Sequence, residues 1–119
     1  MTAALDGLIA ELKHAVRFEE LRKASGTGNY LEGVLLRPDL ARCYDLLVKW
    51  FGPPLKAFGQ PPAFTPDIQK IVDAVGGVRA NQCLFLAQEG ARPIAYAALW
   101  PWESNPTRLT LKVGACPSP

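Results

Sequence analysis

Cys83-Leu84-Phe85-Leu86-Ala87-Gln88, the turn Glu89-Gly90-Ala91-Arg92-Pro93 and the run Ile94-Ala95-Tyr96-Ala97-Ala98-Leu99-Trp100 decide the fold of this chain. The first run is apolar at both alternating positions, as expected of a strand covered on both faces. The second places Ile94 and Tyr96 on one face and Ala95, Ala97 and Leu99 on the other. Pro101 and the turn Glu103-Ser104-Asn105-Pro106 close it. Thr107–Val113 then alternates, with Leu109, Leu111 and Val113 inward and Arg108, Thr110 and Lys112 toward water. The pattern predicts an antiparallel three-stranded meander whose last strand is half exposed, its two cations blunting a sheet edge.

Upstream the period changes to that of helices. Thr65-Pro66-Asp67 reads as an N-cap followed by proline at the first helical position. Ile68, Ile71, Val72 and Val75 then repeat at i, i+3, i+4 and i+7, and Gly76-Gly77 stops the helix. Pro38-Asp39 opens an earlier helix with Leu40, Cys43, Tyr44, Leu47 and Phe51 as its inner stripe and Asp39, Arg42, Asp45 and Lys49 on its wet side. Residues 52–64 between the two helices hold four prolines and two glycines, yet carry Leu55, Phe58 and Phe64. Such a segment is either a stiff connection pinned to the core or one wall of a groove.

Tyr30–Leu36 is apolar and partly β-branched, a short strand weakened by Gly33. Ser25-Gly26-Thr27-Gly28-Asn29 before it is a breaker. At the N-terminus Leu5, Ile9, Leu12 and Val16 share one helical face, while His14, Phe18 and Leu21 fall nearly opposite. Two readings fit: a helix to about Lys23 buried on both sides, or one that stops near Val16 and leaves 17–23 irregular or extended. The longer helix is preferred because Glu19 to Lys23 are good helix formers. The resulting order is α-β-α-α-β-β-β, an α+β fold. The meander, joined by the earlier strand in a sheet of possibly four strands, carries the helices on one face. The chain reads as a single domain over residues 1–119, with 52–64 an ordered loop and 114–119 a tail.

Composition narrows the function. A chain of 119 residues, 49% hydrophobic and 20% charged, has the composition of a globular domain that supports a core without disulfides or structural metal. Its 13 basic residues are spread among 11 acidic ones, and no basic run exceeds Arg22-Lys23. Nucleic-acid binding, which needs several cations aimed at phosphates, is not indicated. No apolar run approaches bilayer length, and Asp6, Glu11 and Lys13 interrupt any signal-like segment. Cys43, Cys83 and Cys116 are odd in number and scattered, which offers neither a disulfide framework nor metal-site spacing. A cytoplasmic protein without membrane association is expected.

The candidate chemistry is sparse. His14 is the single histidine; its nearest acidic candidates on a helix are Glu11 at i−3 and the poorly placed Glu19 at i+5, and a lone helix histidine is usually a partly exposed packing residue. Cys43 and Cys83 sit at core positions, where thiols are inert, and a pairing of Cys83 with His14 is not required by anything in the pattern. Ser25–Asn29 lacks the Lys-Ser/Thr ending of a phosphate loop, since Asn29 and Tyr30 follow. Neighbours such as Glu19 and Glu20 on a helix cannot clamp one substrate. No catalytic residue, metal ligand or cofactor is assigned.

From Tyr30 onward the order strand–helix–helix–strand–strand–strand resembles the N-terminal half of the GNAT acetyltransferases. Phe85-Leu86-Ala87-Gln88-Glu89-Gly90 and Ile94-Ala95-Tyr96-Ala97-Ala98-Leu99 are similar to that family's second and third strands with their turn. The resemblance implies topology alone. The family's pyrophosphate-binding glycine loop and helix belong after the meander, where this sequence reads Gly114-Ala115-Cys116-Pro117-Ser118-Pro119, so no coenzyme A site is implied.

The leading expectation is a small non-catalytic binding or protein-interaction module, homodimeric or bound to another protein through His14, Phe18 and Leu21. Trp100-Pro101-Trp102 with Tyr96 is the recognition candidate, because tryptophan and tyrosine bury large area with few rotors. The alternative is a small-molecule pocket, enzymatic or not, between the 52–64 loop and the sheet, walled by Trp100, Trp102, Tyr96 and Phe58. A third reading gives Arg108 and Lys112 an acidic partner surface.

Overall fold

The computed structural model describes residues 2–24, 30–61, 63–74, 77–89, 92–105 and 107–116. The Ser25–Asn29 breaker, Val75, Gly76, the Gly90-Ala91 turn and the last three residues lie outside this set. The chain runs α1 (Thr2–Ala15), β1 (Phe18–Ala24), β2 (Tyr30–Leu36), a 3-10 turn at Arg37–Asp39, α2 (Leu40–Phe51), α3 (Pro66–Ala74), β3 (Cys83–Glu89), β4 (Arg92–Pro101) and β5 (Arg108–Ala115). Among the described residues three helices and one antiparallel sheet make the class α+β.

The sheet has five strands in the order β1-β2-β5-β4-β3, rather than the three or four expected. The added strand is β1. Where the longer-helix reading carries α1 to Lys23, the helix ends at Ala15 and the chain becomes a strand at Phe18. The reason is tertiary. Leu5, Leu8, Ile9, Leu12 and Val16 are all buried on one side of α1, so a helix continuing past Val16 would turn Phe18 and Leu21 toward solvent. As a strand, the same residues pair antiparallel with β2, and Phe18 packs against the core. Packing of this kind overrides the helix propensity of Glu19 to Lys23. Arg42 Nη1 donates to the Ala15 carbonyl at 3.1 Å, satisfying one of the acceptors left open at the helix end.

Alternation across the sheet places Leu31 and Leu35 of β2, Cys83 and Phe85 of β3, Ala95, Ala97 and Leu99 of β4, and Leu109, Leu111 and Val113 of β5 on one face. They form the main core with α1 and the Cys43–Leu47 stripe of α2, and Tyr44 meets Phe85 edge to face at 5.4 Å between ring centres. α3 does not join α1 and α2. It covers the other face, where Val72 buries Leu84, Tyr96 and Ala98, with Ile68, Leu86 and Trp100 around them. Strands apolar on both faces need cover on both, and β3 and β4 obtain it by splitting the helices between the two faces.

Two expectations for β5 are corrected. It is not an edge, because β2 and β4 flank it, so its cations blunt nothing. Thr110 does not face water either: it is 6% exposed, and Trp102 Nε1 donates to its hydroxyl at 2.9 Å. β5 also runs through Ala115, two residues into the stretch read as tail.

The outer edge of β3 is met by the 52–64 segment. Lys56 N–H donates to the Leu84 carbonyl at 3.2 Å and Leu84 N–H to the Lys56 carbonyl at 3.0 Å, a one-residue bridge on that edge. The Lys56 side chain is 2% exposed, and its ammonium donates to the carbonyls of Ala57, Ala80 and Gln82 at 2.9, 2.8 and 2.5 Å. An ammonium has three donors, and here each has an acceptor. The proline- and glycine-rich segment is thereby pinned to the core and covers a strand edge.

Candidate functional site

The end of α1, the start of β1 and the start of α2 enclose an open groove of about 450 Å³ lined by Lys13, His14, Ala15, Val16, Arg17, Phe18, Leu21, Asp39 and Arg42. His14, Phe18 and Leu21, read from the sequence as one helical stripe, meet here by another route. His14 lies exposed in the last turn of α1, whereas Phe18 and Leu21 belong to β1.

Residues three apart on a regular strand point to opposite faces. In β1 an irregularity between Phe18 and Glu20 resets the register: Phe18 opposes Leu35, Glu20 opposes Val34 and Leu21 opposes Gly33. Both apolar side chains therefore lie on the face that carries α1 and α2, the re-aiming that a bulge provides. Gly33 makes room for them, since a Cβ there would stand 2.8 Å from Phe18 Cδ1 and 3.1 Å from Leu21 Cδ2. Phe18 is half-buried against the core, and Leu21 stays 49% exposed.

The recognition candidates divide. Phe58 and Trp102 line a second concavity of about 540 Å³ at the sheet end, with Arg37, Leu40, Gly59, Asn81, Pro101, Glu103 and Leu109. Tyr96 and Trp100 do not reach it and pack under α3 on the other face. Trp100 and Trp102 are each beside cations: Lys112 Nζ sits 4.2 Å from the Trp100 ring centre, while Arg22 and Arg108 approach the Trp102 ring at 5.3 and 5.4 Å. Arg108 is also paired with Glu19, and Arg22 with Glu20 at 3.8 Å. Glu19 and Glu20 are thus strand residues with separate partners.

The thiols stand apart from the groove. Burial pushes Cys43 up from 9.0 to about 12, with Asp39 adding to the shift. Cys83 is pushed up to about 11 by burial, opposed by the Lys56 charge and a backbone hydrogen bond at Phe58. Burial also pushes the Lys56 ammonium down. Both buried thiols are protonated at neutral pH, where they are poor nucleophiles. The groove that holds His14 is not lined by Cys83, so the two are not brought together. Among the described residues no group of three or more His, Cys, Asp and Glu side chains is placed to hold a metal ion, and no helix is long and apolar enough to cross a membrane.

No protein-family model, curated protein or solved structure matches this chain.

The sequence missed two contributors. Arg42 is exposed, as the wet-side pattern expects, and it also ties α2 to the end of α1 and forms a wall of the groove. Lys56 carried no local signal, since two of its three acceptors, the Ala80 and Gln82 carbonyls, come from residues distant in the sequence.

Proposed function

We propose that this chain is a small non-catalytic protein-interaction module whose docking site is the groove at the α1–β1 corner. The observation that carries the reading is Leu21. A large apolar side chain, 49% exposed, is aimed by a bulge into a concavity beside half-buried Phe18, at the unpaired edge of the sheet. Burying this exposed apolar area against a partner would supply binding energy, and Arg42 on the same wall is of a residue type enriched at binding hot spots. Strand-to-strand pairing is a less suitable mode, because β1 is irregular at two points and carries Glu19, Glu20, Arg22 and Lys23.

The second reading keeps the small-molecule pocket at the sheet end. Phe58 and Trp102 share a concavity whose size suits a ligand, with Asn81 and Glu103 as polar groups.

Native mass spectrometry of gently purified, untagged protein tests both. The expected result is a complex with another chain that disappears in Leu21→Asp, while the variant keeps its circular dichroism spectrum. A complex that persists unchanged in Leu21→Asp contradicts the docking site. A monomer carrying a small bound mass favours the second reading.

A further inference from the structure

Resting on the reading of the corner groove as a docking site, we infer that its occupant is an acidic segment of another protein that sets an apolar side chain against Leu21 and Phe18. The lining carries three permanent cations, Lys13, Arg17 and Arg42, with His14 beside them, against the single carboxylate of Asp39. Among the described residues, none of the three cations is in an ion pair. By contrast Arg22, Lys49, Arg79 and Arg108 each have a carboxylate partner, namely Glu20, Glu11, Glu103 and Glu19. Positive charge therefore gathers, offset in the lining by Asp39 alone, around the place where Leu21 of β1 is open. Arg42 spends one N–H on the Ala15 carbonyl, which fixes its guanidinium at the rim and leaves its other donors for a carboxylate.

The same charge argues against a second copy of this chain. A two-fold dimer is isologous, so the patch would face itself and bring Lys13, Arg17 and Arg42 into one interface with the same three cations of the other copy. Like charges juxtaposed across an interface are unfavourable, whereas a segment of opposite charge gains in encounter rate and in specificity.

The test uses a short fluorescent peptide alternating glutamate and leucine, and its counterpart with lysine in place of every glutamate, read by fluorescence polarisation. The glutamate peptide is expected to bind and the lysine peptide to fail. Binding should fall about tenfold or more in the Lys13→Glu/Arg17→Glu variant, and again on raising salt to about 300 mM, where exposed charges are screened. Leu21→Asp should weaken it as well. Equal binding of the two peptides, no binding of the glutamate peptide, or indifference to the charge reversal would overturn the acidic occupant. Preference for phosphatidylserine vesicles over the glutamate peptide would overturn it in favour of a lipid surface. If the charge reversal has no effect while native complexes still vanish in Leu21→Asp, the docking site stands and only the acidic partner falls.

Discussion

Cys43 and Cys83 show how single buried groups set a property of the whole protein. Both thiols are held protonated by burial, with values near 12 and 11 against an ordinary 9.0. The folded-state values are raised, so the unfolded chain releases these protons first. Their contribution is complete below about pH 9 and is lost as the pH rises toward the folded-state values. Unfolding in urea should show stability flat near neutrality and falling above pH 9 by about 1.4 kcal/mol per pH unit for each thiol. A Cys43→Ala/Cys83→Ala variant, although less stable throughout, should fall less steeply between pH 9 and pH 10.5. Equal slopes in the two proteins would contradict this origin. The position of Cys43 was legible in the sequence because helical periodicity put it on the inner stripe. The pinning of Lys56 was not, because two of its three acceptors, the Ala80 and Gln82 carbonyls, come from a turn far along the chain.

At the scale of elements, the 52–64 segment acts as edge cover, and Lys56 is its fastening. Lys56→Met keeps the aliphatic stem but removes three hydrogen bonds from a charged donor, for an expected loss of about 2–3 kcal/mol in urea unfolding. A change smaller than about 0.5 kcal/mol would show that the backbone bridge to Leu84 and the prolines hold the segment without the ammonium. The strands of the meander and helices α2 and α3 were legible from periodicity, caps and turn residues. β1 was not. Phe18-Glu19-Glu20-Leu21-Arg22-Lys23 has helix-forming composition, and its strand state depends on a bulge and on Gly33, both set by pairing with β2. One signal did point there: a short Gly-rich stretch, Ser25–Asn29, between two runs of seven residues is also how a hairpin reads. The helix arrangement was half legible. Cys83–Gln88 announced a strand covered on both faces, which implies a helix on each side.

At the scale of the molecule, the two faces of the sheet end differently. On one, α1 and α2 close the main core and leave a groove at the corner where α1 stops and β1 begins. On the other, α3 covers β3 and β4, while Arg22, Arg108 and Lys112 lie over the tryptophans. That layering packs Tyr96 and Trp100 beside α3 and leaves Trp102 with Phe58 at the sheet end. The central claim is that the corner groove is the surface through which this protein meets another. Photo-crosslinking in the source cell tests it most directly, with benzoylphenylalanine placed at Leu21 and, as a control, at exposed Lys70 on α3. The account predicts one defined partner protein, identified by mass spectrometry, crosslinked from position 21 and not from position 70. The same adducts from both positions, or none from position 21, would contradict it.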